Sequence, residues 1–115
     1  MSSLEGIQKL RNLEELQVNF NHFTKIEKCI FELKGLKKFW ICENKIEKIE
    51  NLPEKIENFW IANNLIKEIP EDFYKYSDLE FLNISGNFIS DLKDIYILEK
   101  FQIRVFIKIF RNFFY

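Results

Sequence analysis

The sequence predicts an α/β solenoid, a right-handed superhelix with short parallel strands on its concave side and irregular, 3₁₀ or short helical segments on its convex side. Three observations predict this fold. Four eleven-residue segments align without gaps, each with apolar residues at positions 1, 4, 6 and 11. Every segment has asparagine at position 9, with spacings of 23, 20 and 23 residues. The segments begin at Leu13, Leu36, Ile56 and Leu79.

Each repeat position has a physical reason. The apolar residues at positions 4 and 6 alternate with polar neighbours, which is the period of a short strand with one face buried. The asparagine at position 9 stands where the chain must turn, and its amide can both donate to and accept from backbone groups. We therefore predict a buried asparagine ladder rather than four exposed loop residues. Its members are Asn21, Asn44, Asn64 and Asn87.

This pattern resembles the leucine-rich-repeat proteins, whose consensus is L-x-x-L-x-L-x-x-N-x-I/L, and the resemblance covers roughly residues 4 to 104. The convex sequence Ile49-Glu50-Asn51-Leu52 is similar to the convex sequences of the short-repeat class, which is typified by a regulatory subunit of protein phosphatase 1. The later stretch from Ile66 to Phe73 resembles the longer, 23-residue class. Short convex connections imply turns or 3₁₀ segments, and longer ones imply a turn or two of helix.

The chain is predicted to be a single domain, residues 1–115. It has a partial repeat at 4–12, four repeats, and a degenerate terminal repeat or cap at 98–115. The last repeat would begin at Leu98, and its position 9 is Phe106 instead of asparagine. Neither end has a recognisable polar cap, although solenoids need their terminal cores covered. The missing caps predict that the chain is a fragment or a shortened relative of a longer repeat protein. Alternatively, a partner or a second copy covers one end.

The tail at 101–115 allows two structures. As a helix the tail would carry a basic stripe. As a strand its β-branched residues would alternate with Arg104, Phe106 and Lys108. The run of β-branched residues slightly favours the strand. It could cover the last repeat, dock into a partner, or lie on a membrane surface.

Composition limits the functional classes. The formal net charge of −1 lacks the positive excess that a direct nucleic-acid binder needs. There is no uncharged apolar run long enough to span a membrane and no secretory signal at the start. Two cysteines are too few for a disulfide framework and have no metal-binding spacing. We expect a cytoplasmic protein, without cofactor or metal.

No residues suggest catalysis. His22 is the single histidine, and we interpret it as an exposed loop residue because no nucleophile or orienting carboxylate accompanies it. The three glycines form no phosphate-binding loop. Cys29 and Cys42 are interpreted as small apolar fillers rather than reactive thiols. The sequence therefore predicts a protein that is not an enzyme.

Binding is predicted on the concave face, where positions 3, 5 and 7 of stacked strands form columns about 4.8 Å apart. Trp40 and Trp60 share position 5, and tryptophan is enriched at binding hot spots. Small residues at position 7 leave room beside the rings. The pair could instead only stabilise the sheet by cross-strand stacking, and the two roles are compatible. The predicted partner-binding residues are Trp40, Trp60, Phe81, Lys38, Asn58, Gln17 and Asn83.

We expect a scaffold or adaptor that binds proteins. Within the family, the Phe-Trp-Ile strand sequences and the sequence around Asn51 resemble those of ciliary and axonemal repeat proteins and are similar to leucine-rich repeat-containing protein 9. This resemblance implies docking in a microtubule-based assembly. The likeness to the phosphatase subunit implies binding to a phosphatase catalytic subunit. Two further alternatives are a ribonucleoprotein accessory that acts through protein contacts and a peripheral membrane protein that uses its basic, aromatic tail.

Overall fold

A computed structural model describes residues 3–99 and the backbone of 104–106; the remaining residues lie outside the described part. Five short strands form one parallel sheet in chain order, each hydrogen-bonded to the next. They are β1 (Glu15–Gln17), β2 (Lys38–Trp40), β3 (Asn58–Trp60), β4 (Phe81–Asn83) and β5 (Arg104–Phe106). The convex side carries 3₁₀ helices at Ile7–Lys9 and Phe73–Lys75, and helices α1 (Lys28–Phe31) and α2 (Leu92–Glu99).

The strand register follows the sequence repeat. Residues at the same repeat position pair on neighbouring strands, so Leu16 aligns with Phe39, Phe39 with Phe59, and Phe59 with Leu82. This in-order parallel pairing is what a solenoid requires, because each turn of the chain returns to the sheet beside the previous strand. The gapless alignment of the four segments therefore describes the sheet itself.

One apolar core runs the length of the solenoid. Phe39 and Phe59 are fully buried and their rings stack, with centroids 5.7 Å apart and planes 13° from parallel. Leu16, the equivalent residue on the edge strand β1, is only half-buried. Truncating a buried phenylalanine to alanine typically costs about 3–5 kcal/mol, so the interior phenylalanines stabilise the central repeats most strongly.

The convex side varies with repeat length. The two repeats with 23-residue spacing form α1 and the second 3₁₀ helix, whereas the repeat between Asn44 and Asn64 forms neither helix in its convex stretch. Three fewer residues leave no chain for a helical turn. The result is a notch of about 390 Å³ between α1 and the second 3₁₀ helix. It is lined by Phe31, Asn51, Leu52, Glu54, Lys75 and Tyr76.

Polar side chains on the convex side tie successive repeats together, a feature the sequence analysis did not predict. Asn51 Nδ2 donates to the carbonyl of Ile26 at 2.9 Å. Asp94 Oδ1 accepts from the backbone N–H of Ile69, also at 2.9 Å. Each bond spans 25 residues and satisfies a backbone group on the preceding repeat, as buried backbone requires.

The same arrangement holds the N-terminal partial repeat. Leu4 is buried, its N–H donates to Glu27 Oε1 at 3.2 Å, and its carbonyl accepts from Cys29 Sγ at 3.4 Å. Residues 4–12 therefore lie on the convex side, with the 3₁₀ helix Ile7–Lys9 at their centre. Cys29 is a hydrogen-bond donor here and not only an apolar filler.

The predicted register of the terminal repeat is wrong. A repeat beginning at Leu98 would place its strand at residues 100–102, but β5 begins at Arg104, four residues later, and Arg104 aligns with Phe81. Leu98 instead lies in α2, where it is buried. This eight-residue helix places Leu98 in the convex part of the core, so the chain needs more residues to return to the sheet. Residues 104–106 are strand; the rest of the tail lies outside the described residues.

In the described part of the chain, no helix has the length and apolar character needed to cross a membrane.

Candidate functional site

Three aromatic side chains meet on the concave face. Trp40 and Trp60 are in register on β2 and β3, and their rings stack with centroids 4.1 Å apart and planes 7° from parallel. Phe81 on β4 contacts Trp60, with ring centroids 5.1 Å apart and ring planes inclined by 39°. We call these three residues the aromatic stripe. All three are half-buried, because the ring contacts cover part of each side chain and the rest meets solvent.

A shallow trough of small side chains runs beside the stripe at position 7. Cys42 and Ser85 are half-buried and Ala62 is buried. Its backbone is held by asparagines: Asn19 Oδ1 accepts from the N–H of Cys42 at 2.6 Å, and Asn83 Oδ1 accepts from the N–H and hydroxyl of Ser85. The trough is therefore shaped before any partner arrives, which reduces the entropy lost on binding.

The remaining predicted binding residues surround the stripe. Gln17 and Lys38 are exposed, while Asn58 and Asn83 are half-buried. Asn83 differs from the expectation, because its carbonyl oxygen already accepts hydrogen bonds from Ser85 and so contributes to the trough. The structure thus brings Trp40, Trp60 and Phe81 into direct contact and places the four polar residues around them.

Position 8 has a property that the sequence analysis missed. Phe20, Glu43, Asn63 and Gly86 all have positive φ, between 56° and 71°. The N–H groups of the first three donate to position-7 carbonyls of the next repeat, at 2.8 to 3.0 Å. Glycine and asparagine tolerate this left-handed backbone best. Gly86 and Asn63 could therefore have indicated from the sequence that position 8 has positive φ. A Cβ at Gly86 would overlap Oδ1 of Asn63.

The position-9 asparagines follow the C-terminal ends of the strands, four residues after each strand ends. Asn64 is 3% exposed; its Nδ2 donates to the carbonyls of Ile41, Ile61 and Ala62, and its Oδ1 accepts from the N–H of Ile46. Asn44 and Asn87 are also buried and make equivalent bonds to the preceding repeat. Asn21 is half-buried, and its Nδ2 donates to Val18 and Asn19 within its own repeat.

Groups that could carry chemistry do not converge. His22 is exposed. Burial raises the pKa of both the Cys29 and the Cys42 thiol, which favours the unreactive protonated form. Within the described residues, no group of three or more histidine, cysteine or acidic side chains could hold a metal ion.

Comparison with known proteins identifies the fold. A leucine-rich-repeat protein of Leptospira interrogans superposes with a TM-score of 0.77 at 24% identity, covering 93% of this chain and 28% of that one. An internalin of Listeria monocytogenes superposes with a TM-score of 0.71 at 25% identity, covering 92% and 32%. The chain thus has the leucine-rich-repeat solenoid fold, which confirms the predicted fold class. It spans about a third or less of either structure.

Sequence comparison adds one partial match. An adenylate cyclase of Schizosaccharomyces pombe is 33% identical over a 95-residue alignment, which covers 76% of this chain and 5% of the cyclase. No protein-family model matches the chain. The resemblance to the short-repeat class of the phosphatase subunit, and to ciliary repeat proteins, stays a prediction.

Proposed function

We propose that this chain is a non-catalytic interaction module that binds a protein partner on its concave face. The observation that carries this proposal is the aromatic stripe, a stacked tryptophan pair and a phenylalanine that are half-buried beside a trough of small residues. Tryptophan buries a large area with little loss of side-chain entropy, and such residues dominate the binding energy of many interfaces.

The absence of convergent reactive groups in the described residues supports a binding role over a catalytic one. The cyclase match covers 5% of that protein, so its enzymatic activity gives no reason to assign catalysis to this chain. Leucine-rich-repeat solenoids generally present an extended concave surface to other macromolecules, and this chain has such a surface.

The cellular setting follows from sequence resemblance. The Phe-Trp-Ile strands at 39–41 and 59–61 support a place in a ciliary or axonemal assembly, with an axonemal or microtubule-associated partner and a cytoplasmic location.

A phosphatase catalytic subunit is the second candidate partner, favoured by the 20-residue repeat and its Ile49-Glu50-Asn51-Leu52 wording. A ribonucleoprotein accessory role is a third, and the near-balanced charge restricts it to protein contacts. Weak membrane contact through 101–115 is a separate possibility for the tail, tested by comparing liposome sedimentation of the full chain with that of residues 1–100.

The test uses a Trp40→Ala, Trp60→Ala double variant in affinity purification from the native cell. We expect loss of the partners captured by the wild-type chain, with circular dichroism and thermal unfolding still showing a folded protein. The matched control is Tyr74→Ala with Leu92→Ala, which removes two exposed convex side chains and should leave capture unchanged.

Unfolding of the double variant would mean that the pair is structural. In that case Trp40→Leu with Trp60→Leu, which keeps apolar volume on the sheet, separates the roles: normal capture by this folded variant would overturn the proposal. Recovery of axonemal proteins, a phosphatase or spliceosomal proteins by the wild-type chain decides the cellular setting.

A further inference from the structure

The first repeat is covered less completely than the interior repeats. Leu10 is 56% exposed, whereas Leu33 and Tyr76, which hold the same place three residues before position 1 of a later repeat, are 0% and 4% exposed. Leu13 and Leu16, at positions 1 and 4, are half-buried, whereas their counterparts in the later repeats are buried. The apolar core is therefore open to solvent at the β1 end of the solenoid.

The backbone of β1 is open at the same end. β1 has one hydrogen-bonded neighbour, β2, and its other edge carries no strand among the described residues. Successive residues of a parallel strand direct their N–H and C=O groups to alternate sides. The carbonyl of Glu14 and the N–H of Val18 form hydrogen bonds with the β2 segment, so Glu15 and Gln17 direct their backbone groups to the open edge. Such an edge is a template for a further strand.

The convex layer beside this open edge is already occupied. Residues 4–12 lie there: the N–H of Leu4 donates to Glu27, its carbonyl accepts from Cys29 Sγ, and the 3₁₀ helix Ile7–Lys9 contacts α1. A second copy of the solenoid that continued the sheet would bring its own convex layer into the same place. The open position therefore accommodates one extended strand and not a second copy.

We infer that the open edge of β1 binds an extended segment of a partner protein, which adds to the sheet as one further parallel strand. The added strand has apolar residues at positions 4 and 6, which cover Leu16 and Val18. It has lysine or arginine at position 3, in register with the exposed carboxylate of Glu15, because opposite charges on adjacent strands attract. β2 meets β1 in the same way, with Lys38 opposite Glu15 and Phe39 opposite Leu16. Main-chain hydrogen bonds give affinity, and the alternating side chains give specificity.

The probe is the peptide acetyl-Gly-Leu-Lys-Lys-Phe-Thr-Ile-Thr-Gly-amide, called the patterned peptide. After its first glycine it has apolar residues at positions 1, 4 and 6 and lysine at position 3. It is titrated into the full chain, and amide hydrogen exchange is followed for each residue by NMR. We expect the N–H groups of Glu15 and Gln17 to exchange about tenfold more slowly or less at saturation, because they become hydrogen-bonded.

Two N-methylated forms of the patterned peptide are matched controls. Val18, at position 6 of β1, directs its N–H to β2, so positions 4 and 6 of an added strand direct theirs to β1. Methylation of the phenylalanine and isoleucine nitrogens should therefore abolish protection of Glu15 and Gln17. Methylation of the nitrogens at positions 3 and 5 removes two N–H groups from the opposite edge and should leave protection intact. The chain itself is unchanged, so its folding does not affect this comparison.

A charge variant tests the basic residue. Glu15→Gln should weaken binding of the patterned peptide about two- to fivefold at low salt, the range expected for one cross-strand charge pair. Glu47→Gln makes the same change in net charge at an exposed residue of the convex side and should have no effect. Melting temperatures of both variants control for folding.

No protection of Glu15 and Gln17, equal protection by the two methylated peptides, or equal effects of the two charge variants would each overturn this inference. Protection of these amides that rises with the concentration of the chain alone would also overturn it, because a second copy would then occupy the edge. The test is independent of the proposed function, since partner capture through the tryptophans can fail while strand addition at β1 is observed.

Discussion

The asparagine ladder and the aromatic stripe are both columns built from one residue per repeat, yet they differ in what surrounds them. Asn44, Asn64 and Asn87 are 2–7% exposed, and their amides bond to backbone groups of their own and the preceding repeat. Trp40 and Trp60 are half-buried and stack on each other. One repeat geometry therefore gives a stabilising column inside and an available surface outside, and the side of the strand decides which.

The two columns also differ in how they respond to the end of the sheet. Each interior asparagine is buried and bonds to the repeat before it, whereas Asn21, on the first repeat, is half-buried. The stripe needs only side chains on adjacent strands: Trp40 and Trp60 are in register, and Phe81 contacts Trp60 diagonally. Stability should therefore depend on position along the ladder, and binding on the aromatic contacts.

The largest expected effect is on the ladder. Asn64→Ala removes three donated bonds and one accepted bond at a buried site, and leaves backbone groups unsatisfied. We expect a loss of about 3–5 kcal/mol in the free energy of unfolding, measured by urea denaturation. Asn21→Ala, at the half-buried first rung, should cost about 1 kcal/mol. Equal costs for the two variants would contradict the difference between interior and edge rungs.

The second prediction concerns the convex tie made by Asp94, whose Oδ1 accepts a hydrogen bond from the N–H of Ile69. Its carboxyl is fully buried, and Oδ2 has no hydrogen-bond partner in the described part of the chain. Burial raises its pKa, the hydrogen bond from Ile69 partly opposes this, and the charge of Asp91 adds to it, so the neutral acid is favoured more in the folded chain than in the unfolded one.

Because the pKa is raised on folding, the stability that this group contributes is present below the unfolded pKa of about 3.9 and is lost as pH rises through the folded pKa. We expect the free energy of unfolding of the wild-type chain to decline over this window relative to that of Asp94→Asn, which does not titrate. The contributions of the other carboxyl groups to the pH dependence are the same in both proteins and cancel in the comparison. Parallel pH profiles for the two proteins would show that Asp94 ionises normally.

The third prediction tests the stability contribution of the stripe. Trp60→Ala removes stacking with Trp40 and Phe81 but opens no buried cavity. We expect a cost of about 1–2 kcal/mol in urea denaturation, below that of Asn64→Ala. A cost as large as that of the ladder variant would make the stripe primarily structural and erase the contrast between the two columns.

The smallest expected effect lies at position 8. Phe20 has a φ of 57° and is 79% exposed, so its ring contributes little packing while its backbone is strained. Phe20→Gly relieves the left-handed strain but adds flexibility to the unfolded chain, and we expect a net gain of about 0.5 kcal/mol in the free energy of unfolding. Gly86→Ala, at the equivalent position of the last full repeat, should be destabilising by contrast. A loss of stability in Phe20→Gly would mean that its side chain packs in solution.

Much of the fold was predictable because it repeats. The gapless alignment places Leu16, Phe39, Phe59 and Leu82 in one column, and the strand register is the same. The contact between Trp40 and Trp60 follows from that register. The terminal strand was misplaced because Leu98 fits both the repeat pattern and a helix face, and only its packing in α2 distinguishes them.

The sequence by itself determined the repeat, the strand register, the asparagine column and the shared position of the tryptophans, because each follows from residue periodicity in a chain that returns to the same sheet. Tertiary structure decided the left-handed position 8, the convex ties at Asn51 and Asp94, and the place of β5. These features depend on contacts about 25 residues apart or on competition between helix and strand for the same apolar residues. Tertiary structure also showed that the tryptophans stack and remain partly exposed, which supports the proposed binding face.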